Sequence, residues 1–543
     1  MFKIFRGFHL LDAYHKERIS RRTHPNKLLK KMAFSAVILL VTLWLWNAPS
    51  DIFGIAGLTV IQQRVIAIFA FATLMWILEV VPSWATSVAI IGLLLLFTSD
   101  SGILPFQTVA TDAQLGSDLL SGGAAAAGAA GAMAAGGALG QGTVIATMAD
   151  QPVGNLLSYK DIMATFADPV IMLFIGGFIL AIAATKTGLD AQLARMLLKP
   201  FGRKSDNVLL GFILITGIFS MFVSNTATAA MMLTFLTPVF KQLPPEGKGR
   251  IALTLSIPLA ANLGGMGTPI GTPPNAIALK YLNDPSGLNL NLGFGEWMSF
   301  MLPFVIVMLV ISWLVLKIIF PFTQKTIDIN IEGEMKKGFK TNVVIVTFII
   351  TVLLWIFDKA TGMNSYTVAL IPFVVFALTG VITKDDLDEI NWSVIWMVAG
   401  GFALGYALNK SGLADNAVKS IPFGTFSPII ILLISGLVCY ALSNFISNSA
   451  TAALLMPILT TVCTGMGDKL LPIGGTPTVL IGIAIAASSA MVLPISTPPN
   501  ALAYSTNLVE QKDMSKIGLL VGIVSLVLGY GMLFLLGEAG VIG

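Results

Sequence analysis

The residues with the most chemistry to offer lie in two short motifs that each occur twice inside apolar runs. SNTATAA occupies 224–230 and returns as SNSATAA at 447–453, while GTPPN occupies 271–275 and returns as STPPN at 496–500. In hydrocarbon an unpaired backbone group costs several kcal/mol, so a broken helix persists only where protein or a wet cavity satisfies it. Ser, Asn and Thr are favoured N-caps, and each triplet can therefore end one half-helix and begin the next. Paired prolines cannot continue a helix, and the residue before them is pushed toward extended geometry. Asn275 and Asn500 are then placed to cap the helix that resumes.

Such breaks supply two kinds of ligand. Half-helix N-termini carry partial positive charge and free N–H groups, which suit a carboxylate or similar oxyanion. Unwound carbonyls, together with Ser and Asn oxygens, suit a hard cation such as Na⁺. The inventory is neutral, so an anion held there is balanced by co-bound cations and helix ends rather than by an arginine clamp. A single SNT in a membrane helix is ordinary helix–helix glue. Two copies of each motif, at matching positions, point instead to a transport site.

Enzyme chemistry finds no support. His9, His15 and His24 all lie in the N-terminal tail, where they read as part of a solvated basic segment, and no H-E-x-x-H occurs. Proton relays draw on intramembrane acids. Glu79 and Asp358 stand at the ends of spans in corresponding places and read as solvated at the interface. Cys439 and Cys463 lie in or near apolar runs and read as inert buried thiols. No organic cofactor and no nucleic-acid partner is implied.

The elements that must position these motifs follow from composition. The chain of 543 residues is 55% hydrophobic and 11% charged, against about 25% charged in soluble domains. That composition predicts an all-α polytopic membrane protein, surrounded by lipid. Apolar runs of the length a bilayer needs predict about eleven transmembrane helices, at 32–48, 60–80, 84–105, 166–186, 249–283, 298–320, 342–358, 365–382, 391–409, 476–508 and 516–537. The stretches that carry the triplets, 207–240 and 426–462, are too long for one simple span and read as re-entrant helical hairpins. Basic residues from Lys3 to Lys31 place the N-terminus in the cytoplasm. Counting crossings from there leaves Arg195, Lys199, Arg203 and Lys204 inside as well, and the C-terminus outside.

Three blocks recur in one order. GGFILAIAATKTGLDAQLA (176–194) parallels GGFALGYALNKSGLADNAV (400–418), and the triplet and TPPN blocks follow each of them. Each half then holds five crossings and one hairpin; five is odd, so the second half is inverted. Inverted-topology repeats with broken helices are a transporter architecture, with the site at the midplane. The expected domains are a basic segment (1–31), a first helix outside the repeat (32–58), a first repeat (59–320), a cytoplasmic linker (321–341) and a second repeat (342–543). The first repeat carries an extracytoplasmic insert (106–158) around a Gly/Ala run at 121–142 that has no counterpart in the second.

From about residue 32 onward these motif pairs resemble the divalent anion–sodium symporter family, which moves di- and tricarboxylates. The resemblance implies a sodium-coupled importer of C4-dicarboxylates such as succinate, malate or fumarate, working as a homodimer by an elevator motion. It equally leaves open sodium-independent exchange, or sulfate or citrate as the anion. It implies a first Na⁺ site at Ser220, Ser224, Asn225 and Gly271, and a second at Ser443, the Ile446 carbonyl, Asn448 and Ser496. Substrate would meet Asn225 and Thr226 on one side, Asn448 and Ser449 on the other, with Thr497 and Pro498 beside them. The chain departs from the family pattern in two places. Ser449 stands where the family usually has Thr, and Ser496 where a small apolar residue is common; the added hydroxyl either binds sodium or bonds the backbone. A bacterial inner membrane is the expected location.

Overall fold

A helix pairs its own backbone groups, which is why long apolar runs fold as helices in a membrane. A computed structural model of the chain describes residues 25–78, 80–103, 151–244, 247–285, 287–327, 336–420 and 425–541. The Gly/Ala run, the three histidines and Glu79 lie outside those residues. Among the described residues there is no strand, only isolated bridges joining Ser99 to Leu157 and Lys204 to Thr326.

The first part of the chain forms α1 (Pro25–Asn47), α2 (Val60–Leu78), α3 (Ser83–Phe97), α4 (Tyr159–Ala164), α5 (Pro169–Thr187) and α6 (Leu189–Leu198). The first hairpin is α7 (Ser205–Phe222) and α8 (Asn225–Phe240). A broken span follows as α9 (Lys248–Gly265) and α10 (Pro273–Leu282), and then α11 (Phe294–Ile319). The second half repeats the series: α12 (Phe339–Ile356), α13 (Leu370–Leu378), α14 (Trp392–Lys410) and α15 (Leu413–Ser420). Its hairpin is α16 (Pro428–Ser443) and α17 (Asn448–Met466), its broken span α18 (Gly475–Ser488) and α19 (Pro498–Ser505), and its last helix α20 (Gln511–Glu538). Among the described residues, 8 helices are long and apolar enough to cross a membrane, and further apolar helices are shorter. The 8 include an arm of each hairpin, Ser205–Phe222 and Asn448–Ile473, while the expected spans near 32–48, 84–105, 365–382 and 476–508 appear as apolar helices of 10–17 residues, the last of them α18 of a broken span. The architecture is thus all-α and polytopic, with both hairpins and both broken spans where the sequence predicts them.

Packing obeys the repeat. α3 lies against α14, and its counterpart α13 lies against α5; α8 lies against α19, and α17 against α10. The second arm of each hairpin therefore rests on the resumed helix of the other half. The GGF blocks make two of these contacts possible. A Cβ on Gly176 would sit 2.1 Å from the Ala369 carbonyl oxygen, and one on Gly400 would sit 2.5 Å from Ser87 Cβ. Buried tryptophans recur too. Trp76 Nε1 donates to Ser83 O at 3.3 Å and Trp355 Nε1 to Ser365 O at 3.0 Å, each tying a span to the start of the next.

Asp358 corrects an expectation. It is 7% exposed rather than solvated. Its carboxylate accepts from Phe294 N at 2.7 Å and Lys359 N at 2.8 Å. Phe294 opens α11, whose free N–H groups and dipole attract an acid. The acid of one half thus caps a helix of the other.

Gly176→Val and Gly400→Val are each expected to cost about 1–3 kcal/mol through overpacking, read as a lower melting temperature of the purified protein. Gly531, in α20 with nothing within 4 Å of an added Cβ, is the control: alanine there should hold or raise stability by about 0.5–1 kcal/mol. Valine variants as stable as the native chain would contradict the close approach.

Candidate functional site: two oxygen-lined breaks

At both hairpin tips the first serine of the triplet is the N-cap. Ser224 Oγ accepts from Ala227 N and Ser447 Oγ accepts from Ala450 N, both at 3.2 Å. The cap frees the asparagine to turn inward. The carboxamide tip of Asn225 lies 2.5 Å from Ser220 Oγ, 3.1 Å from the Gly271 carbonyl and 3.3 Å from the Ala261 carbonyl. With its nitrogen at the tip, the amide donates to those oxygens and the pocket is closed. With its oxygen at the tip, four oxygens converge from the hairpin, α9 and the strip that follows it. Carbonyls, an amide oxygen and a hydroxyl are the donor set of a hard cation.

Glycine makes the cage tight. A Cβ on Gly265 would meet the Asn225 amide at 2.7 Å, and one on Gly271 would meet the Gly265 carbonyl at 2.3 Å. The second half repeats the hairpin side of this geometry: Ser443 Oγ donates to Asn448 Oδ1 at 2.9 Å and to the Ala487 carbonyl at 3.1 Å. Ala490 and Ser496 stand where the first half has Gly265 and Gly271, so the second cage is built to a different clearance.

The strips themselves are held by asparagines, though not as the sequence suggests. Thr272 and Thr497, not Asn275 and Asn500, occupy the N-cap positions of α10 and α19. The prolines fill the first helical turn and carry each asparagine past the cap. Its amide turns back instead: Asn275 Nδ2 donates to the Gly265, Met266 and Thr268 carbonyls at 3.1, 3.1 and 2.8 Å. Asn500 Nδ2 donates to the Met491 and Leu493 carbonyls at 2.8 and 3.0 Å. From outside the strip, Trp297 Nε1 donates to Met266 O at 3.1 Å.

A hydroxyl joins each strip to the arm that leads into its hairpin tip, from a different position in each half. In the first, Thr268 Oγ1 donates to Met221 O and accepts from Gly271 N. In the second, Ser496 Oγ donates to Asn444 O at 2.8 Å and accepts from Leu493 N at 3.0 Å. The unusual hydroxyl of Ser496 therefore bonds the backbone. Asn444 supports the same junction, accepting from Val492 N at 2.9 Å.

The remaining expected site residues divide by exposure. Thr226 and Pro498 present exposed side chains, and α8 and α19, which they open, pack together. Ser449 and Thr497 are buried, at 7% and 4% exposure, and Ile446 is buried at 2%. Sequence reasoning missed Asn262, whose Nδ2 donates to Thr497 Oγ1 at 3.1 Å and Asn500 Oδ1 at 3.2 Å. Its signal was an amide alone in an apolar helix, three residues before the break. Among the described residues no cluster of His, Cys, Asp or Glu could hold a metal ion; the side chains at both breaks are neutral.

Two inverted halves whose broken helices turn neutral oxygens inward define a membrane transporter. Comparison with known proteins gives the family: residues 74–474 match the family model CitMHS, citrate transporter, and the chain belongs to that family. The sodium-dependent dicarboxylate transporter SdcS of Staphylococcus saprophyticus is 30% identical, over 69% of this chain and 78% of its own. These matches bear out the family the motifs resemble. An uncharacterised transporter of Haemophilus influenzae is 34% identical, over 69% of this chain and 82% of its own. Among solved structures, Neisseria gonorrhoeae MtrF, titled as illuminating a class of antimetabolite efflux pumps, has a TM-score of 0.48 at 13% identity, covering 83% of this chain and 94% of that one. The Alcanivorax borkumensis YdaH transporter, titled as having an unusual topology, has the same score and identity over 70% and 88%.

Replacing either strip asparagine by leucine strands carbonyls inside the protein, at about 1–3 kcal/mol for each group left unpaired. Asn275→Leu and Asn500→Leu should both melt several degrees below the native protein in detergent. A leucine variant that melts with the native chain would mean the amides do not hold the strips.

Proposed function

We propose that this protein imports C4-dicarboxylates, or related di- and tricarboxylates, together with Na⁺. The observation that carries the reading is the oxygen cage of Ser220, Asn225, Ala261 and Gly271, with its partial echo at Ser443, Asn448 and Ala487. A dianion entering a neutral site requires counter-charge, and cations in such cages supply it. The first Na⁺ is assigned to that cage, with Ser224 beside it; the second to Ser443, Asn448, the Ile446 carbonyl and Ser496. Substrate carboxylates are assigned to Asn225 and Thr226 on one side, Asn448 and Ser449 on the other, and the Thr497–Pro498 strip. The N-termini of α8, α17 and α19 begin at these residues, and that of α10 at Pro273 beside Gly271; each adds its partial positive charge.

The names of the relatives, a citrate transporter family and sodium-dependent dicarboxylate transporters, support the same substrate class. Contacts between α3 and α14 and between α5 and α13 are consistent with a frame against which hairpins and broken spans move as an elevator. The domain division expected from the sequence, a homodimer and an inner membrane with the N-terminus inside complete the reading.

Labelled succinate uptake by purified protein in liposomes tests it, with an inward Na⁺ or K⁺ gradient and with or without succinate inside. Uptake should require Na⁺ and not internal succinate. Uptake indifferent to Na⁺ but dependent on internal succinate would replace symport by exchange and remove the sodium assignments.

A further inference from the structure

Between the two cages lies one side chain that the transport reading leaves without a role. Asn262 is 3% exposed and sits in α9. Its neighbour Ala261 gives a carbonyl to the first cage, accepting from Ser220 Oγ at 2.8 Å and lying 3.3 Å from the Asn225 amide. Its own amide reaches into the other half, donating to Thr497 Oγ1 and Asn500 Oδ1. Asn500 in turn holds the Met491 and Leu493 carbonyls of the second strip. A continuous path of one peptide unit and two amides thus runs from the first cage to the second strip.

The bridge exists in one direction. Ala487 gives Ser443 the carbonyl that Ala261 gives Ser220, so the residue that follows it, Ser488, stands in the second half where Asn262 stands in the first, and its hydroxyl is buried without a partner. The acceptor corresponding to Asn500 Oδ1 is Asn275 Oδ1, which is buried without a hydrogen-bond partner. The repeat therefore supplies its own comparison: both asparagines clamp their strips, and only that of the second half is clamped by the opposite half.

We propose that Asn262 is a positioning residue that couples the two cation sites, a proposal that rests on the sodium-coupled reading above. A cation in the first cage fixes the Ala261 carbonyl and with it the adjacent Asn262 side chain. That side chain orients Thr497 and Asn500 and so presets the carbonyls of the second strip. Linkage makes the effect reciprocal, each cation raising the affinity for the other. Removing the amide leaves both cages in place but lets them fill independently.

The test is Na⁺ titration of the thermal stability of purified protein without anion, paired with Na⁺ activation of succinate uptake in liposomes. The native protein should give a Hill coefficient above unity in the stability titration; uptake, which needs both cations whether or not they are coupled, reports that the sites still work. Asn262→Ala, which removes the amide, should return the coefficient of the stability titration to unity and raise the Na⁺ concentration for half-effect. Should the alanine variant fail to fold, Asn262→Ser reads the same quantity, because its shorter side chain cannot span both contacts. A native coefficient of unity, or a variant that keeps the native coefficient, overturns the coupling while Na⁺-driven uptake leaves symport standing. A native protein whose stability and uptake both ignore Na⁺ overturns the symport reading and the coupling with it.

Discussion

An unpaired peptide group in hydrocarbon costs several kcal/mol, and each half of this chain interrupts its helices twice, at a hairpin tip and in an unwound strip. Everything around the site answers that cost. Serine hydroxyls cap the hairpin tips, asparagine amides turn back on the strips, and single hydroxyls stitch strip to hairpin. What results at the first break is a set of carbonyl, amide and hydroxyl oxygens that face one another. On the proposed reading, the ligands of a cation are a by-product of satisfying the backbone, and no ionised side chain is needed to make them.

The repeat imposes symmetry on this solution and the sequence relaxes it where the halves differ. Gly265 and Gly271 bring the first strip so close that a methyl group fits at neither; the second half has Ala490 and Ser496 there. The bridging hydroxyl moves correspondingly, from Thr268 in the first strip to Ser496 in the second, with amide donor and hydroxyl exchanging places. The hydroxyl bridge is therefore common to both halves, and the position of the residue that makes it is not. On the proposed reading, two cages of one design but different clearance hold their cations unequally.

Much of this was legible in the chain. Five crossings and a hairpin per half, the two broken spans and the capping serines follow from apolar run length, motif order and the known preferences of Ser and Pro. Family membership followed from the paired motifs. The misses share a cause: they concern where a polar side chain points once a helix has been entered. Asn275 and Asn500 looked like caps because they follow the break, but the threonines two residues before the second proline take that position and the amides fold back. Asp358 looked solvated because it ends a span, whereas the start of α11 from the other half meets it there. Asn262 carried no motif, and its partners lie more than 230 residues away in sequence, 235 for Thr497 and 238 for Asn500. Periodicity and spacing describe an element from within and say little about what the opposite repeat brings to it.

On the proposed reading a neutral site binds a dianion because cations occupy the cages beside it. Calorimetric titration of the purified protein with succinate, in Na⁺ and again in an equal concentration of choline, tests this without requiring turnover. Binding in Na⁺ that vanishes in choline is the predicted result. Equal affinity in the two salts would mean that helix ends and hydroxyls suffice to hold the anion, and the cages would lose their assigned part in charge balance.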